Sequence, residues 1–176
     1  MLQTVNFLNQ LIDNNYTHLC VVPCSFAKNI INESINNDFI EYVPCASEAV
    51  ACSISAGLKV SGMKPLVIVQ SSGLTNMGSC ITSLLKPYQI RFPILVSWRT
   101  YHEGDSEIQH KHLSTKLPNL IDSYGYKHKI IDKHNISTAI DQIEKCNDID
   151  QICIFDNETF SEVLLTKGHK LDLSNY

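Results

Sequence analysis

Six short runs of apolar, mostly β-branched residues recur along this 176-residue chain, and they constrain its fold more than any other feature. Within each run the hydrophobicity is nearly continuous rather than alternating, which is typical of strands buried on both faces of a parallel sheet. Segments with helical spacing of apolar residues separate the runs. This alternation predicts an α/β fold: a doubly wound, six-stranded, mostly parallel sheet with helices on both faces. The predicted strands are 18–23, 40–45, 65–70, 93–98, 128–132 and 151–156.

Helix signals fill the intervals between these strands. Ser25 and Ser47 are predicted N-caps, and Gly62 is a predicted helix stop. The segment 99–116 is predicted to be a long polar loop, and the tail after Phe160 is predicted to fray or to pack on a partner. The predicted helices are 4–15, 26–37, 47–62, 74–87, 117–125 and 136–146.

Composition excludes several classes of protein. The net charge is −4 with a pI of about 5.9, so no basic footprint for nucleic acid is expected. The N-terminus lacks a signal-peptide pattern, and no apolar run approaches the ~18 residues of a membrane helix. The seven cysteines form no CxxC pair, which favours reduced thiols over a structural zinc site. We therefore expect one cytoplasmic domain over residues 1–176, with no membrane contact.

Unusual polar residues follow four of the predicted strands. In doubly wound sheets, ligands bind outside the carboxyl ends of the strands, so these loops are the candidate site. The four loops are 23–27, 45–48, 70–76 and 98–112.

Glu48 is a lone carboxylate between a strand and a helix, in the stretch CASEAVAC. One interpretation is a first-turn acid that the helix dipole favours. The other is a functional carboxylate that the neighbouring Ala46, Ala49, Val50 and Ala51 partly desolvate, so that it can exchange a proton or hold a short hydrogen bond.

Two further segments leave alternatives open. The loop SSGLTN (71–76) is either an ordinary turn or a site for an anion or a polar ring edge, and it lacks both the dinucleotide and the P-loop patterns. The loop 99–112 carries three histidines and three acids. Three interpretations are open for it: a solvated loop, a polar gate of a substrate pocket, or a metal site. Since the chain has no HExxH and no GxSxG, zinc proteases and serine hydrolases of those types are not indicated.

Together these segments resemble a known family. Most of 17–113 is similar to the pyrimidine-binding (PYR) domain of thiamine-diphosphate-dependent decarboxylases, in the branch of phosphonopyruvate decarboxylase and the sulfopyruvate decarboxylase alpha subunit. The shared features are an ExxA helix after a strand, a GxKP turn, the loop QSSGLTN, then TSLLKPYQI and a strand ending in WR. The segments VPCS (22–25) and EIQH (107–110) resemble VPDS and EPQH of that branch, and Ser71 replaces a typical Asn.

The resemblance implies a role for each matching residue. Glu48 is expected to hydrogen-bond N1′ of the aminopyrimidine of thiamine diphosphate and so to activate the cofactor. The residues Ser72, Gly73, Leu74 and Asn76 are expected to line the aminopyrimidine. On the substrate side, the resemblance assigns catalytic contacts to Gln109 and His110, and substrate binding to Ser25. Arg99 is either a surface arginine or a substrate-binding residue that pairs with an anionic group of the substrate.

Half of the family's cofactor site is missing from the sequence. The family holds the diphosphate and Mg²⁺ through a GDG…NN motif on a separate PP domain, whereas the only GD here is Gly104-Asp105, with no NN pair after it. We therefore expect no metal on this chain and a PP-domain beta subunit as partner, in an assembly such as α₂β₂. The initial Met and the polar tail favour a natural alpha subunit over a fragment of a longer enzyme.

Three functions remain open from the sequence. The first is a decarboxylase subunit acting on phosphonopyruvate, sulfopyruvate or a similar anionic 3-substituted pyruvate. The second is a subunit of an acetolactate- or acyloin-type carboligase, which the departures at Cys24 and Ser71 allow. The third is a non-catalytic PYR-like binding module.

Overall fold

Each of the six predicted strand segments forms a strand of one sheet in the computed structural model, which describes residues 1–99 and 107–167. The strand order is β2-β1-β3-β4-β6-β5, and every described pair of neighbours is parallel. The predicted α/β architecture is confirmed, with a sheet that is parallel throughout. The strands are β1 (His18–Val21), β2 (Glu41–Pro44), β3 (Pro65–Gln70), β4 (Ile94–Ser97), β5 (Lys127–Ile130) and β6 (Gln151–Phe155).

Helices occupy the intervals between the strands. The predicted helix over 74–87 is irregular: a 3₁₀ turn (Gly73–Met77) leads into a short α-helical segment and a π turn (Ile81–Leu85). Ser47 caps α3 by accepting from Val50 N, and Gly62 ends it with a φ of 87°, so both predicted helix signals are confirmed. The helices are α1 (Thr4–Asp13), α2 (Lys28–Asn36), α3 (Glu48–Val60), α4 (Gly78–Cys80), α5 (Ile108–Ser114), α6 (Leu117–Ser123) and α7 (Ile136–Glu144).

Both faces of the sheet are covered, because successive residues of each strand point to opposite sides. Leu19 and Val21 of β1 pack with α1, α2 and α7, whereas Cys20 between them packs with α3, α4 and α6. The same alternation in β3 sends Ile68 to the first layer and Val67 to the second. This two-sided burial explains why the strand sequences are continuously apolar.

The chain reverses its direction across the sheet between β1 and β3. It passes from β1 outward to β2 and then returns to β3 on the other side of β1. Such a switch point opens a crevice at the carboxyl ends of the strands, where ligands of doubly wound proteins bind. The loops after β1 and β3 therefore lie on either side of this crevice.

The second half of the predicted loop over 99–116 is helical, so that prediction is wrong for α5. His110 and Ser114 lie one turn apart and are both buried, and the Trp98 indole N–H donates to Ser114 O at 2.7 Å. Tertiary contacts rather than an apolar stripe thus stabilise this short helix. The remainder of the loop, with His102, Glu103 and Asp105, lies outside the described residues.

Residues 161–167, the described part of the tail after Phe160, pack on the chain itself, where fraying or contact with a partner was predicted. Three asparagines on one face of α2 bind its main chain: Asn29 accepts from Val163 N at 3.2 Å, Asn32 donates to Val163 O at 2.7 Å, and Asn36 donates to Leu164 O at 2.9 Å. Spacings of three and four residues place these amides in line along the helix.

The seven cysteines are free thiols, as predicted, and five of them are buried. Cys24 and Cys80 are half-buried. Over residues 1–99 and 107–167, no helix is long and apolar enough to cross a membrane.

Candidate active site

The candidate site is built at the carboxyl edge of the sheet. The residues predicted from the four loops follow β1, β2, β3 and β4, and these strands are neighbours in the sheet. Ser71 N donates to Ser97 O at 3.0 Å, so the ends of β3 and β4 are tied together. Side chains that are far apart in sequence therefore meet at this edge.

Glu48 is the first residue of α3 and its side chain is buried, with 8 % of the residue exposed. Its Oε2 accepts a hydrogen bond from Asn76 Nδ2 at 2.9 Å. A buried carboxylate with one hydrogen-bond partner retains lone pairs for another donor. Both interpretations of Glu48 fit this position, since it is a first-turn acid and it also lies at the ligand edge.

Gly73 allows the loop after β3 to approach Glu48. A Cβ on Gly73 would lie 2.0 Å from Glu48 Oε1 and 2.5 Å from Glu48 Cδ, so no other residue fits without moving the carboxylate. Leu74, which is fully buried, fixes the turn to the core. The glycine in SSGLTN is therefore required by close packing against Glu48.

The apolar neighbours of Glu48 do not all shield it, contrary to the prediction. Ala51 is buried, but Ala46 is exposed and Val50 is 42 % exposed. Ala46 precedes the helix, and Val50 faces outward because residues two positions apart lie on different faces of a helix. The contacts described for the Glu48 carboxylate are the close packing of Gly73 and the hydrogen bond from Asn76.

A second polar group connects β3 with α5. Gln70 Nε2 donates to Ser72 Oγ at 2.7 Å and lies 3.2 Å from His110 Nδ1. His110 is 6 % exposed, and its Nε2 lies 3.5 Å from Glu107 Oε2. The loop after β3 therefore contacts Glu48 through Gly73 and Asn76, and His110 through Gln70.

Arg99 forms the core of a third polar group. It is 6 % exposed, its Nη1 donates to Ser25 Oγ at 2.8 Å, and its guanidinium lies 4.3 Å from the centre of the Phe26 ring. Arg99 Nη2 is also 3.9 Å from Glu107 Oε1. Residues predicted from the first and fourth loops are thus in direct contact.

Ser25 does not cap α2, so that prediction is wrong. It lies in a 3₁₀ turn (Ser25–Ala27), α2 begins at Lys28 after Ala27, and no side-chain cap is present there. The Ser25 hydroxyl accepts from Arg99 instead, because the charged donor gives the stronger bond.

Gln109 is exposed on α5 and donates to the Glu107 carboxylate. Cys24, in the loop that follows β1, has its Sγ 3.4 Å from Ser97 Oγ at the end of β4. Among residues 1–99 and 107–167, no group of three His, Cys, Asp or Glu side chains could hold a metal ion.

Sequence analysis did not single out Gln70 or Ser97. Both are polar residues at the ends of otherwise apolar strands, and that interruption is the signal that marks them. Glu107, which lies between Arg99 and His110, was noted as an acid of the loop 99–112 and as part of EIQH, but no contact with Arg99 was predicted for it.

Comparison with known proteins identifies the family. The family described as thiamine pyrophosphate enzyme, N-terminal TPP binding domain, matches residues 5–117. The chain belongs to this family. The TPP-binding domain thus covers the loops after β1, β2, β3 and β4, together with α5.

Several decarboxylases are similar to this TPP-binding chain. The alpha subunit of sulfopyruvate decarboxylase from Methanocaldococcus jannaschii is 31% identical over 130 residues, which cover 74% of this chain and 70% of that protein. Phosphonopyruvate decarboxylase from Streptomyces viridochromogenes is 32% identical over 106 residues, or 60% of this chain and 27% of that enzyme. Sulfopyruvate decarboxylase from Methanosarcina acetivorans is 33% identical over 110 residues, or 62% of this chain and 28% of that enzyme.

The residues at the carboxyl edge fit the pyrimidine half of this cofactor. A ring nitrogen of the pyrimidine can form a strong hydrogen bond with a carboxylate that is shielded from water, and Glu48 is such a carboxylate. A glycine lets the main chain come close to the ring, and Gly73 lies beside Glu48. Asn76 holds one carboxylate oxygen, which leaves the other side of the carboxylate for a ring nitrogen.

Proposed function

We propose that this chain is the pyrimidine-binding subunit of a heteromeric, thiamine-diphosphate-dependent 2-oxo acid decarboxylase, and that residues 1–176 form one PYR-type domain. The observation that carries the proposal is the buried Glu48 carboxylate, packed on Gly73 and bonded to Asn76 at the ligand edge of the sheet. Relatives named sulfopyruvate and phosphonopyruvate decarboxylase support a substrate of the same kind, a pyruvate with an anionic group on carbon 3.

Glu48 binds N1′ of the aminopyrimidine and shares a proton with it. Exclusion of water strengthens this bond, because a charge-assisted hydrogen bond gains energy when the local dielectric constant falls. Thiamine diphosphate, when bound, supplies the electron sink that allows a 2-oxo acid to lose CO₂. Asn76 keeps the carboxylate oriented toward the ring.

The turn after β3 forms the wall against which the pyrimidine lies. Ser72, Gly73 and Asn76 contribute main-chain and polar contacts, while Leu74 anchors the turn in the core. A short turn held at both ends keeps the ring in one orientation, which is how positioning lowers an activation barrier.

The substrate side of the site contains His110, Gln109, Ser25 and Arg99. His110 is buried and bonded to Gln70, so its ring is fixed and can donate or accept a proton at the substrate. Arg99 acts through Ser25, whose hydroxyl accepts from the guanidinium and can donate its own proton to a substrate oxygen.

A second chain completes the site in this proposal. In this proposal a PP-domain beta subunit supplies the diphosphate and Mg²⁺ half of the site. The α3 surface beside Glu48 supports such a partner, because Ala46, Val50 and Ile54 leave an apolar face exposed. The relative from Methanocaldococcus jannaschii is itself named an alpha subunit.

Reconstitution tests this function. The chain alone, a PP-domain partner from the same genome alone, and the mixture are assayed for CO₂ release from sulfopyruvate and phosphonopyruvate with thiamine diphosphate and Mg²⁺. The proposal expects release by the mixture only. Release by this chain alone would contradict the half-site assignment, condensation to an acetolactate-type product would indicate a carboligase, and a complex without any turnover would indicate a binding module.

A further inference from the structure

A pocket of about 400 Å³ opens at the carboxyl end of β1, next to the Ser25–Arg99 contact. Its volume is sufficient for a small carboxylic acid. The first turns of α2 form one wall and the loop after β1 forms the other. The described lining residues are Pro23, Cys24, Ser25, Lys28, Ile31 and Asn32, and none of these is a carboxylate.

Lys28 is the cationic residue of this lining. It is exposed, and it forms no hydrogen bond or ion pair with any described residue. As the first residue of α2, it stands where the helix dipole disfavours positive charge, so helix stability does not account for a lysine at this position.

The other cationic side chain near the pocket, Arg99, interacts with protein groups. Its guanidinium is buried against Phe26, bonded to Ser25 and close to the Glu107 carboxylate. Arg99 therefore orients the Ser25 hydroxyl, which can donate its proton into the pocket. Asn32 donates to Val163 O, so its amide N–H is already engaged.

We propose that Lys28, together with the Ser25 hydroxyl, binds the oxyanion on carbon 3 of the 2-oxo acid, and that this pocket selects sulfonate- or phosphonate-bearing pyruvates over pyruvate itself. The proposal rests on the decarboxylase function proposed above. Both anionic groups are tetrahedral and carry oxygens that accept hydrogen bonds from an ammonium group and a hydroxyl.

Kinetics of the reconstituted complex test the selectivity. Lys28→Gln is expected to lower kcat/KM for sulfopyruvate and phosphonopyruvate about tenfold more than for pyruvate, since a hydrogen bond between charged groups contributes this order of affinity. Lys28→Arg should restore most of the preference. Lys127→Gln, the same charge change on exposed strand β5, is the matched control and should leave the preference unchanged. Equal losses for all three substrates in Lys28→Gln would overturn the proposal.

Chemical labelling tests the pocket without turnover. Lys28 in the full chain is acetylated with a limiting reagent, and the modified peptide is quantified by mass spectrometry with sulfopyruvate, phosphonopyruvate or pyruvate present. Protection of Lys28 by the two anionic compounds, but not by pyruvate, is expected. Equal labelling in all samples would overturn the Lys28 proposal. Protection combined with a complex that releases no CO₂ would support the pocket and overturn the decarboxylase function instead.

Discussion

The Glu48 carboxylate is packed against Gly73, where a Cβ would come within 2.0 Å of Oε1. This contact joins the start of α3 to the turn after β3, and it sets the position of the acid at the ligand edge. The interpretation of Glu48 as a functional carboxylate depends on this contact more than on any single motif.

Replacement of Gly73 by Ala should displace the carboxylate. We expect decarboxylase activity of the reconstituted complex to fall about a hundredfold, because misplacement of a catalytic group by about 1 Å has that effect. The free energy of unfolding should also fall, by about 1–3 kcal/mol, as in other overpacked sites. Activity assays and urea denaturation measure the two effects.

Gly57→Ala, in the helix α3 that begins with Glu48, is the matched control, since no atom lies within 4 Å of a Cβ at that position. It should stabilise the isolated chain by up to about 1 kcal/mol, the difference in helix propensity. Equal losses in both variants would contradict the specific contact with Glu48.

Asn76 should act as a positioning residue for Glu48. Asn76→Ala removes the 2.9 Å bond to Oε2, and we expect a loss of about tenfold to a hundredfold in kcat/KM, the usual contribution of a bond to a charged group. Steady-state kinetics against cofactor concentration locate the defect. An unchanged rate and unchanged cofactor affinity would show that this bond has no role in the site.

The sequence predicted the strands better than the site contacts. Continuous apolar runs located all six strands because burial on both faces leaves little room for polar residues. Local sequence could not show that Ser25 accepts from Arg99, which lies 74 residues away. It also missed α5, because a seven-residue helix stabilised by burial of His110 and Ser114 has no clear apolar period.

Cys80 should be the most reactive cysteine at neutral pH. The neighbouring Cys52 thiol and the Ser53 hydroxyl, whose Oγ lies 3.7 Å from Cys80 Sγ, lower the pKa of Cys80 to about 6, although burial opposes this shift. The alkylation rate by iodoacetamide should therefore rise with a midpoint near pH 6, since the thiolate is the nucleophile. Mass spectrometry of tryptic peptides across a pH series measures it.

Cys24 is the other half-buried thiol, so its alkylation rate across the same pH series serves as the internal comparison for that of Cys80. Cys52→Ala removes the Cys52 thiol and should move the midpoint of Cys80 toward 9, the ordinary value. A midpoint for Cys80 that is the same with and without Cys52 would refute this effect of Cys52 on the pKa of Cys80.

Asp150 should contribute stability that is lost in acid. Burial raises the pKa of this carboxyl, but hydrogen bonds and charges from Lys86 and Arg91 outweigh it and hold the pKa below its ordinary value. A depressed pKa stabilises the folded state above the unfolded pKa, and this contribution disappears as the pH falls through the folded pKa.

Asp150→Asn should therefore destabilise the chain by about 1 kcal/mol at pH 7, and by progressively less as the pH falls from about 4 through the lowered folded pKa, where the wild-type carboxyl also becomes neutral. Urea denaturation at pH 7 and pH 3 measures the difference. Asp122→Asn, at an exposed position of α6, should have little effect at either pH. If Asp150→Asn lowered the free energy of unfolding equally at pH 7 and pH 3, the ion pairs with Lys86 and Arg91 would not be the cause of the loss.

The most direct test of the central claim is CO₂ release by the reconstituted complex that carries Glu48→Gln. Glutamine keeps an oxygen for Asn76 and nearly the same shape, but it cannot share a proton with a ring nitrogen. Glu41→Gln, at an exposed edge of β2, is the matched control. The account predicts that Glu48→Gln loses at least about a hundredfold in kcat, on the scale of general acid–base catalysis, while Glu41→Gln retains it. Full turnover in Glu48→Gln would contradict the account.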